Sequence, residues 1–134
     1  MNPTPSSEAG RPLPTDAEFR VLDVLWAGGP MSVRGVHDEI RRDSDVTYTT
    51  VLKILQNLLG KGLVHRDDSA RSHVYEAAVE RDWATRGFVA DLADRVFDGS
   101  AAKLVMRALS DQTPSPEELD EVRALLDRLE AEGG

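Results

Sequence analysis

Five side chains between residues 49 and 57 carry the most distinctive chemistry in this chain: Thr49, Thr50, Lys53, Gln56 and Asn57. Hydroxyls, carboxamides and an ammonium group are what bond phosphate oxygens and base edges. At about 100° per residue these side chains share one face of a helix capped by Thr47, which is itself a candidate DNA contact. Val51, Leu52, Ile54, Leu55, Leu58 and Leu59 share the other face, which must be buried against neighbouring helices. A solvated helix face is usually rich in Glu and Lys, yet no acid occurs from Thr47 to Arg66. Contact with a polyanion accounts for that composition better than contact with water.

The elements that must position this face follow from the flanking residues. Lys61-Gly62 breaks the helix, with Gly60 or Gly62 available for a left-handed cap. Leu63-Val64-His65-Arg66 and His73-Val74-Tyr75-Glu76 read as two strands around the turn residues Asp67 to Ser72. Upstream, Thr15-Asp16-Ala17-Glu18 is a capping box, and Phe19, Leu22, Leu25 and Trp26 form the apolar stripe of a first helix that Gly28-Gly29-Pro30 ends. Ser32 caps a second helix through Val33, Val36 and Ile40, which Asp43-Ser44-Asp45 closes. In that helix His37 reads as a surface residue, because its neighbour Asp38 points about 100° away. Three helices followed by a hairpin is the order of a winged helix-turn-helix, with the third helix entering the major groove. Lys61, Arg66 and Arg71 stand where they would neutralise backbone phosphates. Residues 1–12, rich in Pro, Ser and Gly, read as a disordered tail and 13–79 as the winged helix-turn-helix domain.

Residues 80–134 read as a helical dimerisation region. Trp83, Phe88, Leu92 and Val96 are apolar positions of a helix from Glu80 to Phe97, and Gly99-Ser100 interrupts it. Leu104 and Val105 belong to a short apolar helix, and Ser115-Pro116-Glu117-Glu118 starts another. There Leu119, Val122, Leu126 and Leu129 make a heptad seam too short to stand alone. With the winged helix complete near Ala78, these faces need a second copy of the chain to cover them. The fold class is thus mostly α with a small β wing, a DNA-binding domain followed by a dimerisation region.

Net charge is −8 in 134 residues, which at first argues against a nucleic-acid partner. Its distribution argues otherwise. Residues 80–134 hold 7 basic and 13 acidic side chains, whereas Thr47 to Tyr75 holds 4 basic and 2 acidic, with His65 and His73 alongside. So weak a basic patch favours a symmetric dimer that doubles the phosphate contacts. The chain has no cysteine, which excludes disulfides, thiolate metal sites and a Cys nucleophile. No apolar run reaches the roughly 18 residues of a membrane span, and Met1 to Pro14 lacks the core of a signal peptide. No direct membrane insertion and a cytoplasmic location are expected.

The runs LPTDAEFRVLDVLWAGGPMSVRGVHDEI, YTTVLKILQNLLGKGLVHRDDSARSHVYEAAV and FDGSAAKLVMRALS resemble the BlaI/MecI family of penicillinase repressors from Leu13 to Leu129. The resemblance implies a homodimeric repressor of inverted-repeat DNA operators. It also implies a membrane-bound zinc-protease sensor whose signal leads to cleavage of the repressor. By the resemblance Thr49, Thr50 and Lys53 sit where the family's recognition helix meets DNA, and Arg71 and His73 lie in the wing near phosphates. At the family's cleavage point, an Asn-Phe pair, this chain has Arg107-Ala108.

No phosphate-cradling glycine loop, nucleophile elbow or metalloprotease motif is present, so an enzyme is not expected. His65 and His73 stand where they could face each other across the hairpin beside Asp67 and Asp68. No ligand pair has the tight spacing of a dedicated zinc site, and neither metal nor cofactor is expected. Two competing readings keep the fold and change the function: a winged helix used only for protein contacts, and a repressor released intact by a small ligand.

Overall fold

Thr15 and Glu18 satisfy each other's backbone amides at the start of the first helix. The Thr15 amide donates to Glu18 Oε1 at 2.9 Å, and the Glu18 amide donates to Thr15 Oγ1 at 3.2 Å. The computed structural model describes residues 10–69 and 71–133, so the expected tail lies outside the described residues as far as residue 9. Helix α1 is Asp16–Gly28, strand β1 Met31–Ser32, helix α2 Val33–Ile40 and helix α3 Tyr48–Lys61. Ser32 caps α2 and Thr47 caps α3, each hydroxyl accepting an amide proton from three residues on at 3.1 Å. Such a cap contributes about 1 kcal/mol.

The end of α3 sets up the wing. Gly62 adopts φ 77°, and the Leu63 amide reaches back to Leu58 O at 2.9 Å while the Gly62 amide reaches Leu59 O at 3.1 Å. These two bonds turn the chain directly from helix into strand β2, Val64–Asp67, with strand β3 following at Val74–Ala77. Both strands start one residue later than their spacing predicts. The sheet has three antiparallel strands in the order β1-β3-β2, with Met31 opposite Tyr75 and Arg66 opposite Tyr75 on the other side. β1 was not expected, because two residues between Pro30 and a helix cap are too few to show a period of two.

The core follows the helical spacing in the main, although Val21 joins it unexpectedly and Phe19 and Trp26 of the expected stripe are only half-buried. Val21 and Leu22 of α1, Val36 of α2 and Val51, Leu55 and Leu58 of α3 are fully buried, joined by Leu63 and Tyr75 from the wing. Phe19 packs edge-on against Trp26 and Phe88, with centroids 5.6 and 5.3 Å away. The Trp26 indole donates to Val79 O at 2.9 Å, and Arg81 pairs with Asp23.

The chain divides into two compact units, the first ending at Val89 and the second beginning at Ala90. The division falls inside helix α4, Arg81–Val96, later than the boundary expected after residue 79. Two of the residues expected at a dimer surface thereby fall in the first unit. Trp83 packs against the core of the first unit and Phe88 against Phe19, so their burial needs no second subunit.

In the second unit, Asp98 at φ 55° and Gly99 at φ 76° end α4, and Ser100 caps helix α5, Ala101–Asp111. Ser115 and Glu118 form the expected capping box of helix α6, Pro116–Gly133. Among the described residues of this unit Ala93 is the one buried hydrophobic. Leu92, Val96, Val105, Leu126 and Leu129 are exposed, while Leu104, Leu119 and Val122 are half-buried.

Candidate nucleic-acid interface

Helix α3 separates its two faces as the periodicity requires. Thr49, Thr50, Lys53, Gln56 and Asn57 are all exposed, opposite the buried Val51, Leu55 and Leu58. At its start Thr47 Oγ1 accepts the Thr50 amide proton and donates to Thr50 Oγ1 at 2.9 Å. Thr47 is therefore committed to the helix cap, and the Thr50 hydroxyl keeps its own proton to donate outward. Among the described residues Lys53 has no carboxylate within ion-pair distance.

Lys61 does not join this face. Its ammonium lies 2.6 Å from Glu18 Oε1, the same oxygen that accepts the Thr15 amide proton. Glu18 is the buried charged residue of the core, 4% exposed, so the pair fastens the C-terminal end of α3 to the first turn of α1. Lys61, expected beside the DNA backbone, is thus engaged by Glu18 in this structure. Because Glu18 is almost fully buried, removing its lysine partner would leave a desolvated charge behind.

The wing cations are engaged to different degrees. The Arg66 guanidinium sits 2.8 Å from Asp68, and its pKa is raised above the ordinary value, first by a hydrogen bond with the Tyr75 hydroxyl and then by Asp68. Part of its charge is thus already balanced. In the turn the Asp67 carboxylate accepts hydrogen bonds from the Ser69 side chain and amide, which holds its pKa below the ordinary value. His73 Nε2 is 3.6 Å from Asp68, and His65 stands opposite Glu76, so the two wing histidines do not face each other. Among the described residues no group of three His, Cys, Asp or Glu is placed to hold a metal.

Pairing of β1 with β3 brings the start of α2 beside the wing and α3, which the sequence did not reveal. Arg34 and Tyr48 therefore lie beside this face, which was not anticipated. The Arg34 guanidinium lies over the Tyr48 ring at 5.7 Å, and His37 meets that ring edge-on at 6.1 Å. His37 in turn bonds Val46 O at 2.8 Å, so it latches the turn between α2 and α3 in place of standing free at the surface. A cavity of about 480 Å³ opens here, lined by Ser32, Arg34, Tyr48, Arg71, Ser72 and His73 among others.

The proposed cleavage pair, Arg107 and Ala108, is exposed within the hydrogen-bonded turns of α5, with Arg107 paired to Asp111 at 3.3 Å. Among the described residues no helix is long and apolar enough to cross a membrane.

Comparison with known proteins adds the family. The family model described as penicillinase repressor matches residues 14–128. The transcriptional regulator BlaI of Mycobacterium tuberculosis is 32% identical over 120 residues, 89% of this chain and 86% of that protein. The methicillin resistance regulatory protein MecI of Staphylococcus aureus is 22% identical over 114 residues, 85% of this chain and 93% of that protein. Among solved structures, the monomeric form of Bacillus licheniformis BlaI in complex with the blaP half-operator matches 54% of this chain and 88% of that one. Its identity is 25% and its TM-score 0.48.

Proposed function

Since the chain belongs to the penicillinase repressor family, we propose that it is a DNA-binding transcriptional repressor whose third helix reads an operator. The observation that carries this reading is the exposed, acid-free face of α3, set between the exposed Arg34 and a wing that offers Arg71. Thr49, Thr50, Gln56 and Asn57 meet base edges or phosphates, Lys53 neutralises backbone charge, and Arg66, Arg71 and His73 approach the adjacent backbone. The weak local charge supports action as a homodimer on inverted repeats. The exposed apolar residues of the second unit, Leu92, Val96, Val105, Leu126 and Leu129, together with Leu104, Leu119 and Val122, supply the surface between subunits.

Relief of repression follows from a membrane-bound zinc-protease sensor in this reading, with Arg107-Ala108 as the cleaved pair and the cytoplasm as the location. Because that bond lies in a helix, α5 must open before any protease can take it in extended form. The function is tested by titrating the protein against a labelled fragment from upstream of its own gene and against a scrambled copy. Selective, salt-sensitive binding is expected. Equal binding to both, or none near physiological salt, contradicts operator recognition.

A further inference from the structure

Resting on the DNA-binding reading, we propose that the cavity between α2, α3 and the wing is a subsite for one backbone phosphate of the operator, held jointly by Arg34 and Arg71. The argument begins with charge. The chain carries 24 acidic side chains against 16 basic ones, and the two other large surface cavities of the first unit include acids in their walls, Asp43 and Asp45 in one and Asp23 and Glu39 in the other. The cavity beside the wing has none. It has instead two guanidinium groups from different elements, the hydroxyls of Ser32, Tyr48 and Ser72, and the imidazole of His73. Its lining supplies several donors for an anion and no carboxylate to repel one.

The cations are also available. Among the described residues neither Arg34 nor Arg71 has a carboxylate within 4 Å, in contrast to Arg66 and Lys61. Stacking on Tyr48 orients Arg34 without neutralising it, and Tyr48 is fixed by the edge of His37. Ser32 Oγ accepts from the Gly35 amide, which leaves its own proton to donate. Tyr48 is also the first residue of α3, so this cavity and the proposed reading face begin at the same point of the molecule. A duplex seated on that face brings a phosphodiester to the cavity mouth, and two arginines converging on one phosphate fix the register of the helix in the groove.

The test uses the full-length protein, operator and scrambled duplexes, and the variants Arg34→Gln, Arg71→Gln and the double variant. Each phosphate contact contributes about −0.9 to the slope of log affinity against log salt, so sharing one phosphate predicts a slope change near 0.9 in the double variant. Between 50 and 200 mM salt the advantage of the native protein over the double variant then shrinks roughly 3.5-fold, on operator and scramble alike. Replacing single phosphates by uncharged methylphosphonates locates one linkage whose loss weakens the native protein and leaves the double variant unchanged. A slope change near 1.8 would mean two separate contacts and overturn the shared subsite. So would an unchanged slope, or variants that alter binding of inorganic phosphate while leaving DNA binding intact, which would make the cavity a site for a free anion. If these variants match the native protein while Lys53→Ala still weakens binding, only the subsite fails; absence of any operator binding by the native protein removes the underlying reading as well.

Discussion

Lys61→Ala separates a structural cation from a DNA-binding one. In the native protein its ammonium lies 2.6 Å from a carboxylate that is 4% exposed, and the Lys61 side chain is 28% exposed. Removing one partner of a fully buried pair costs about 3–5 kcal/mol, because the other charge stays desolvated. Here water reaches the lysine side and Glu18 keeps the Thr15 amide, so a loss of about 2 kcal/mol is expected. For a unit of this size that corresponds to a fall in Tm of roughly 8–16 °C. Both tryptophans, Trp26 and Trp83, lie in the first unit, so intrinsic fluorescence during thermal or urea unfolding reads the right transition. The double variant Glu18→Gln with Lys61→Met, which leaves no lone charge, should recover much of the loss. The opposite pattern refutes the reasoning: stability unchanged within about 0.5 kcal/mol and a salt slope of DNA binding reduced by about 0.9 would make Lys61 a phosphate ligand after all.

Gly62→Ala should destabilise the first unit by about 1–2 kcal/mol, since φ 77° disfavours any side chain and the new methyl would meet Arg11 at 3.3 Å. Gly60→Ala, helical and unobstructed, should instead stabilise by up to about 1 kcal/mol; equal effects in denaturant titrations would contradict the cap. Leu126→Asp with Leu129→Asp should bring the sedimentation mass to the 14.7 kDa of one chain and abolish cooperative binding, whereas an unaltered mass would move the dimer contact elsewhere. Ser69→Ala should raise the Asp67 titration midpoint toward the ordinary value near 3.8, as followed by carboxyl NMR. Because that pKa is depressed by folding, its stabilising contribution is present above pH 3.8 and is lost as pH falls through the folded value; a midpoint that does not move would assign the depression to another group.

Much of this was legible in the sequence because it rests on local signals. Thr15 with Glu18, Ser32, Thr47 and Gly62 mark helix ends through bonds made within a few residues, and the 3.6-residue period identifies the buried face of α3. What escaped notice depends on contacts between distant residues. Lys61 reads as a surface cation until Glu18, 43 residues earlier, is found beneath it. Arg34 and Tyr48 join the wing only through the two-residue strand β1, too short to leave a pattern. Phe88 reads as an orphan aromatic of the second half, although Phe19 and the extension of the first unit to Val89 already account for it. Spacing establishes which face of a helix is polar, but only the packed chain decides which of its charges remain free.

The central claim is that the polar face of α3 reads DNA, and it is tested most directly by comparing Thr50→Ala and Lys53→Ala with the native protein on operator and scrambled duplexes across a salt series. Lys53→Ala should weaken both duplexes and lower the salt slope by about 0.9, while Thr50→Ala should lower the ratio of operator to scrambled affinity with little change in slope. If both folded variants match the native protein in affinity, slope and selectivity, α3 is not the reader, and the winged helix must serve another partner.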